Sequence, residues 1–138
     1  KMVRKVVDAP RHVVRNSIAY RNRNKGIYSN HHLGGVDFIG NISIANPLNY
    51  TMLCRKSPAE AVDVPGYGHN VIDNISVSPL VSGKHFTDYD AAKTTFKDNV
   101  TIEGSAADAM LRYFNPVDYL GPRDRDGSLG FDVMKLRR

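Results

Sequence analysis

A short segment of this sequence occurs four times, and this repetition is the strongest constraint on its fold. The bend residues Ser17, Asn41, Asn74 and Asn99 are separated by 24, 33 and 25 residues. One apolar residue directly follows each bend and a second lies two positions further on: Ile18 and Tyr20, Ile42 and Ile44, Ile75 and Val77, Val100 and Ile102. Self-similarity at a period of roughly 20–50 residues is typical of solenoids.

The stretches around each bend are short and rich in β-branched residues, which predicts strands rather than helices. In the second copy, residues 36–39 and 42–45 form the predicted strands, and Gly40 and Asn41 form the bend between them. Glycine and asparagine tolerate the left-handed backbone angles that a sharp corner requires. Alternation along the second strand predicts that Ile42 and Ile44 point inward and that Ser43 faces outward.

Stacked copies would place Asn41, Asn74 and Asn99 one above another, with side-chain amides hydrogen-bonded along the stack. Three short strands in a turn of about 24 residues predict an all-β chain, a parallel β-helix. A leucine-rich repeat would need leucines at fixed positions, and these are absent.

The same repeat predicts the domain organisation. Residues 1–104 form the coils, and a loop inserted at residues 57–69 accounts for the longest step. Residues 105–138 form a short helix, with Ser105 as its N-cap, and an irregular tail that covers the last coil. Because the chain opens at Lys1 inside a repeat, without a signal-like apolar stretch, we expect a C-terminal fragment whose upstream coils are missing.

Composition excludes several classes of protein. A chain of 138 residues with 41% hydrophobic content fits one soluble domain, and no apolar run approaches the roughly 18 residues of a membrane span. The single cysteine, Cys54, cannot form an internal disulfide and is interpreted as a small core residue.

Charge is concentrated at the beginning of the chain. Residues 1–25 carry eight positive charges and one negative, a net of +7, and the remainder carries eleven positive and thirteen negative, a net of −2. A cationic end on a nearly neutral body suggests an anionic partner, although nucleic acid, acidic polysaccharide and a merely solvated surface all remain open.

The strand before each repeated bend offers candidate binding residues. Residues 26–30 and 51–55 occupy equivalent places in successive coils, with Ile27, Ser29, Met52 and Cys54 predicted to point inward. The outer face would then present cationic and hydrogen-bonding side chains suited to an extended anionic chain: Lys1, Lys25, Tyr28, Asn30, His31 and Arg55.

These residues and their order resemble the family 9 polysaccharide lyases. The resemblance rests on KGIYSNHHLGGV at residues 25–36, Gly40-Asn41, NPLNY at residues 46–50 and RDRDGSL at residues 123–129. It implies a right-handed parallel β-helix enzyme that cleaves pectate or the rhamnogalacturonan backbone, of which this chain is the C-terminal part, alone inactive.

The resemblance also implies a mechanism. Lys1 falls at or within one residue of the family's lysine base, and calcium would be held by aspartates upstream of Lys1, with no metal ligand in this chain. Lys25, Tyr28, Asn30, His31 and Arg55 would bind an acidic polysaccharide, with Arg55 able to pair with a substrate carboxylate. The implied protein is monomeric and secreted, periplasmic or on the cell surface, without nucleic-acid or membrane partners.

Other interpretations remain beside this one. A non-catalytic β-helix that binds glycans, as in an adhesin, would need the same outer face but no upstream aspartates. Nucleic-acid binding would need aromatic residues among the basic ones, and residues 1–25 offer only Tyr20. His31 and His32 are adjacent and so face opposite ways on a strand, which disfavours a shared metal. Asp124 and Asp126 suggest a calcium loop, but its distal glutamate is missing.

Overall fold

The computed structural model describes residues 9–119, and a parallel β-helix occupies most of this range. No helix in these residues is long and apolar enough to cross a membrane. The strands are β1 (His12–Arg15), β2 (Ile18–Tyr20), β3 (Lys25–Tyr28), β4 (Val36–Ile39), β5 (Ile42–Ile44), β6 (Leu48–Thr51), β7 (Cys54–Arg55), β8 (Asp63–Val64), β9 (Asn70–Ile72), β10 (Ile75–Val77), β11 (Phe86–Thr87), β12 (Thr95–Lys97) and β13 (Val100–Ile102). Helix α1 (Gly104–Tyr113) and a 3₁₀ helix (Pro116–Tyr119) follow.

Three parallel sheets form the walls of the β-helix. The first sheet has the order β1-β4-β9-β12, the second β2-β5-β10-β13 and the third β3-β6-β11. Ile18, Ile42, Ile75 and Val100 are paired in register across the second sheet. The alignment of the four sequence repeats is therefore confirmed, and so is the predicted parallel β-helix.

Each turn from the first sheet to the second uses one left-handed residue. Asn16, Gly40, Asp73 and Asp98 occupy this position, with φ between 49° and 62°. Only one of the four is glycine; the others are asparagine and aspartate, which tolerate this region better than other residues with a Cβ. The next residue in each coil is the bend residue of the repeat.

The predicted asparagine ladder, Asn41, Asn74 and Asn99, is confirmed. The side-chain Nδ2 of Asn41 donates to Oδ1 of Asn74 at 3.0 Å, and Nδ2 of Asn74 donates to Oδ1 of Asn99 at 2.9 Å. The same oxygens accept the backbone N–H of the coil before them, and Ser17 N–H donates to Asn41 Oδ1 in the first described coil. The ladder thus satisfies bend amides that a parallel sheet leaves without partners.

The second sheet is oriented opposite to our prediction. Ile42 and Ile44 pack in one apolar cluster with Ala107 of helix α1, and Met110 and Leu111 also contact this cluster. Ser43 is fully buried and its hydroxyl donates to the carbonyl of Asn49 inside the coil. The isoleucines therefore face outward beneath the helix, and the serine faces inward.

Helix α1 covers the outer face of the second sheet, and its first residue also differs from the prediction. The N-cap is Glu103, without a side-chain capping hydrogen bond, and Ser105 lies inside the first turn. Burial of Ala107, rather than capping, therefore fixes the helix in place. The predicted covering tail falls largely on residues 120–138, which lie outside the described residues.

Residues 57–69, the predicted insertion, leave the third sheet and return to the coil. β7 and β8 pair antiparallel, which places Arg55 opposite Asp63. The segment ends at His69, which is buried in the core beside Phe38, with ring centroids 5.9 Å apart. The hairpin therefore projects next to the third sheet while its C-terminal end is part of the core.

His69 is held as a neutral imidazole. Its Nδ1 accepts the backbone N–H of Val36 at 3.0 Å, so the ring proton is on Nε2. Burial, reinforced by the nearby Arg11, lowers the pKa of His69 below its ordinary value of 6.5. Protonation of this ring would add a buried charge and remove an acceptor from Val36.

We predict that Asn74→Ala lowers the free energy of unfolding by about 2–4 kcal/mol. The substitution leaves the backbone and side-chain amides of Asn41 without their acceptor, and it leaves the carbonyl to which Asn74 Nδ2 donates without its donor. Asn99→Ala should cost less, because Asn99 lies in the last described coil and is only half-buried. Asn22→Ala, at an exposed position, should change stability by less than about 0.5 kcal/mol. Equal losses in urea denaturation for all three would contradict a central role for the ladder.

We further predict that His69 makes the fold acid-sensitive. The unfolded chain binds a proton at His69 near pH 6.5 whereas the folded chain resists it, so stability falls as the pH drops below 6.5. His69→Asn should cost about 1–3 kcal/mol at pH 8. Its difference in melting temperature from the wild type should narrow at pH 5. Val71→Ala removes core volume without removing a titrating group, so its difference in melting temperature from the wild type should be the same at pH 8 and pH 5. If the difference for His69→Asn is also the same at both pH values, the prediction is wrong.

Candidate substrate-binding site

Two of the predicted binding residues, Lys25 and Tyr28, lie on β3 of the third sheet, whereas Arg55 lies on β7 of the two-stranded sheet. Lys25 and Tyr28 are both half-buried on β3, and Lys25 Nζ lies 3.8 Å from the centre of the Tyr28 ring. This cation–π contact holds a positive charge over an aromatic face. Asn30 follows the strand and is exposed.

The inward side of these strands agrees with the sequence analysis. Ile27, Ser29, Met52 and Cys54 are all buried. The register between the coils was predicted wrongly, however, because Tyr28 pairs with Thr51 instead of Leu53. A shift of two residues keeps every side chain on its predicted face, which is why the burial pattern is still correct.

His31 and His32 point to different neighbours, as expected for adjacent residues. His31 Nε2 lies 2.8 Å from Oδ1 of Asp63 on the hairpin. His32 Nε2 contacts the carbonyl of Pro10 at 2.8 Å, and its ring stacks on His12 with centroids 4.1 Å apart. Only His31 therefore belongs to the same surface as Arg55.

Arg55 is held through its backbone rather than through its side-chain Nε. Its carbonyl accepts a hydrogen bond from Tyr67 Oη at 3.0 Å, and β8 pairs it with Asp63. Its Nε is shielded from solvent and has no hydrogen-bond partner among residues 9–119. Of the predicted site residues, His31 and Arg55 are thus brought together through Asp63, which the sequence analysis missed because it lies in the insertion.

Cys54 has a histidine neighbour that the sequence did not reveal. Its Sγ lies 3.5 Å from His69 Nε2 and donates to the carbonyl of His32. Burial raises the pKa of the Cys54 thiol, just as it lowers the pKa of His69, so both groups are neutral near pH 7. A protonated, fully buried thiol is not a nucleophile, and the interpretation of Cys54 as a core residue stands.

Ser76, His85 and Glu103 form a second arrangement that could suggest catalysis. His85 Nδ1 lies 2.8 Å from Ser76 Oγ, and His85 Nε2 lies 2.7 Å from Glu103 Oε1. Ser76 also accepts a hydrogen bond from Asn49 Nδ2. Because the Glu103 carboxylate can only accept, the proton of a neutral His85 ring is on Nε2, and Nδ1 accepts from the Ser76 hydroxyl. A nucleophile must reach its substrate, however, and Ser76 is 0% exposed. The chain of contacts instead ties the residue before helix α1 to the interior of the coil.

Residues 9–119 contain no group of three or more His, Cys, Asp or Glu side chains that could hold a metal ion. Lys1, the predicted base, and Asp124 and Asp126 lie outside the described residues.

Comparison with solved structures relates this chain to an enzyme. It matches a rhamnogalacturonan lyase with a TM-score of 0.71 and 32% sequence identity over 91% of this chain. The chain has a polysaccharide-lyase-like fold. The match covers 30% of the length of that lyase, so the chain corresponds to less than a third of it. No protein-family model matches the sequence, and no curated protein matches it.

In this lyase-like fold, we predict that His85 has a structural role. His85→Ala should lower the free energy of unfolding by about 1–3 kcal/mol, because the buried Ser76 hydroxyl loses its acceptor. Glu103→Gln should cost less than about 1 kcal/mol, since the Glu103 side chain is 55% exposed. Labelling of the native chain at Ser76 by a serine-directed fluorophosphonate would contradict the structural assignment.

Proposed function

We propose that the chain forms the C-terminal coils of a polysaccharide lyase that cleaves galacturonate-containing pectin, of the pectate or rhamnogalacturonan type. The observation that carries this proposal is the 32% identity to a rhamnogalacturonan lyase over nearly the whole chain. Because the match covers 30% of that lyase, we infer that further coils complete the active enzyme and that these 138 residues alone are inactive.

The proposed reaction is a β-elimination. A base removes the proton at C5 of a galacturonate, next to the carboxylate; the electrons form the C4–C5 double bond, and the 4-linked sugar oxygen leaves. We assign the base to Lys1. An amine can accept this proton only when it is neutral, so its pKa must fall from about 10.4 towards the working pH. The concentration of cations in residues 1–25 would act in that direction.

The outer face of β3 would bind the polymer around the reacting bond. Tyr28 offers a ring for a sugar face and a phenol for its hydroxyls, and the Lys25 charge over that ring suits an anionic chain. The exposed Asn30 adds an amide that can both donate and accept. His31 and Arg55 extend this face towards the hairpin. Lys25 and Tyr28 on β3, followed along the chain by Asn30 and His31, would suit a substrate that is itself extended.

The proposed calcium ion does not fit residues 9–119, which contain no cluster of ligands for it. Its carboxylates would have to come from outside these residues, and we assign no step of the reaction to it. A lyase for a plant cell-wall polymer would meet its substrate outside the cytoplasm, so we propose a secreted, periplasmic or surface-bound monomer.

The proposal predicts that the full-length protein containing this chain produces unsaturated uronates from polygalacturonate or rhamnogalacturonan, measured by their ultraviolet absorbance. Lys1→Ala should lower kcat by about 10²–10⁴-fold, because a general base is lost, with a smaller effect on KM. Lys97→Ala, an exposed lysine on the first sheet, is the matched control and should retain activity.

Two results would separate the parts of this proposal. Unchanged activity in Lys1→Ala would exclude Lys1 as the base but leave the lyase assignment intact. If the full-length protein binds these polymers in affinity electrophoresis and yields no unsaturated product, the lyase assignment is wrong and a non-catalytic glycan-binding β-helix is favoured.

A further inference from the structure

Four asparagines of this chain lie in the Asn-x-Ser/Thr sequence that oligosaccharyltransferases recognise: Asn41, Asn49, Asn74 and Asn99. Such a sequence ordinarily indicates a surface position in a secreted protein, because the attached glycan is bulky and polar. Asn41, Asn49 and Asn74 are instead 0% exposed in this structure. Three of the four acceptor sequences therefore lie where the folded chain has no surface to carry a glycan.

The three buried asparagines use both hydrogens of their side-chain nitrogen inside the coil. Asn41 Nδ2 donates to the Val14 carbonyl at 2.8 Å and to Asn74 Oδ1 at 3.0 Å. Asn49 Nδ2 donates to the Ser76 hydroxyl at 2.8 Å and to the next residue's carbonyl at 3.0 Å. Asn74 Nδ2 likewise donates to acceptors on both neighbouring coils. A bond from any of these nitrogens to a sugar would therefore replace a hydrogen bond of the fold.

N-glycosylation changes this nitrogen in a defined way. Nδ2 attacks C1 of the first sugar of a lipid-linked oligosaccharide, and the bond from C1 to the lipid diphosphate breaks. The diphosphate leaves with the bonding electrons, and Nδ2 loses one hydrogen as a proton. The modified amide thus keeps a single N–H and carries a sugar ring on the atom that had pointed into the coil.

We propose that N-glycosylation at Asn41, Asn49 or Asn74 and formation of this β-helix exclude each other. A glycan on one of these nitrogens removes a buried hydrogen bond and needs space that a close-packed interior does not offer. Once the coil has formed, the same nitrogens are out of reach of the transferase. If the chain is secreted, as proposed above, its route out of the cell therefore keeps the unfolded chain away from such an enzyme.

Asn99 provides a comparison within the same chain. It is half-buried in the last described coil, and Thr101, which completes its acceptor sequence, is exposed. Its Nδ2 donates to the Val71 carbonyl at 2.7 Å, a bond that needs only one N–H. A glycan at Asn99 can therefore leave this bond in place and extend towards solvent, so we expect the fold to tolerate it.

The test is production of the full-length protein in a eukaryotic secretory pathway. Glycopeptides are mapped by mass spectrometry in the folded, protease-resistant fraction and in the retained, unfolded fraction. Glycans at Asn41, Asn49 and Asn74 should occur in the unfolded fraction alone, whereas a glycan at Asn99 should occur in both. A folded fraction that carries a glycan at any of the three buried positions would overturn the proposal.

Thr51→Val and Thr101→Val form a matched pair, because each removes the hydroxyl that an acceptor sequence requires and keeps the asparagine. The cost of Thr51→Val to the fold should be small, since the Thr87 hydroxyl that donates to Thr51 also has the Tyr50 carbonyl as an acceptor at 3.2 Å. In the secretory pathway Thr51→Val should raise the folded fraction, because one of the three blocking positions is gone. Thr101→Val should leave it unchanged, and an equal rise in both variants would contradict the proposal.

Two controls separate glycosylation from other effects on folding. Both variants should fold as well as the wild type in a bacterial host that lacks N-glycosylation. In the eukaryotic host, tunicamycin, which blocks synthesis of the lipid-linked oligosaccharide, should raise the folded fraction of the wild type. An equal folded fraction with and without tunicamycin would show that glycosylation does not compete with folding, and the proposal would be wrong. These measurements report folding and not lyase activity, so the proposed function stands or fails independently of them.

Discussion

The backbone N–H groups at the bends need hydrogen-bond acceptors, and the rest of this structure depends on how this need is met. A parallel sheet pairs the amides within its strands, but each corner between sheets turns some of them away. Asn41, Asn74 and Asn99 solve this problem identically in successive coils, since each side-chain oxygen accepts an N–H from the coil before it. The ladder therefore fixes the bends at the spacing of sheet strands, about 4.8 Å, and helps to hold the first and second sheets in register.

A second buried corner is also filled by hydrogen-bonded polar side chains, and it explains why the side chains of the second sheet face opposite to the prediction. Asn46 and Asn49 are fully buried and bond to each other, and Ser43 and Ser76 contribute their hydroxyls. Serine is small enough to sit inside this narrow corner, which leaves the larger isoleucines to face outward. That exposed apolar surface needs a cover, and helix α1 supplies it through Ala107.

The sequence was sufficient to predict the β-helix coil but not the positions of the covering helix and of the residues in the insertion. The spacing of Asn41, Asn74 and Asn99 predicted the sheets and the ladder because identical corners need identical residues. The alternation at Ile42 and Ile44 shows that the strand has two different faces but not which face points into the coil. The helix that covers the isoleucines lies some 60 residues later in the chain. The burial of Ile27 and Met52 was predicted correctly, but Asp63 and His69 belong to an insertion without repeat periodicity. One signal could have identified His69: it directly precedes the third repeat's first strand, where a core position is due.

The buried polar side chains along the bends and those near the hairpin differ in their hydrogen-bond partners. The buried asparagines and His69 of the coil bond to defined partners, often to several, whereas the buried Ser29 Oγ has none among residues 9–119. Unpaired buried atoms at Arg55 and His31 occur where the insertion meets the third sheet, beside Asp63. Hydrogen-bond partners are therefore complete along the asparagine ladder and incomplete where the insertion joins the coil.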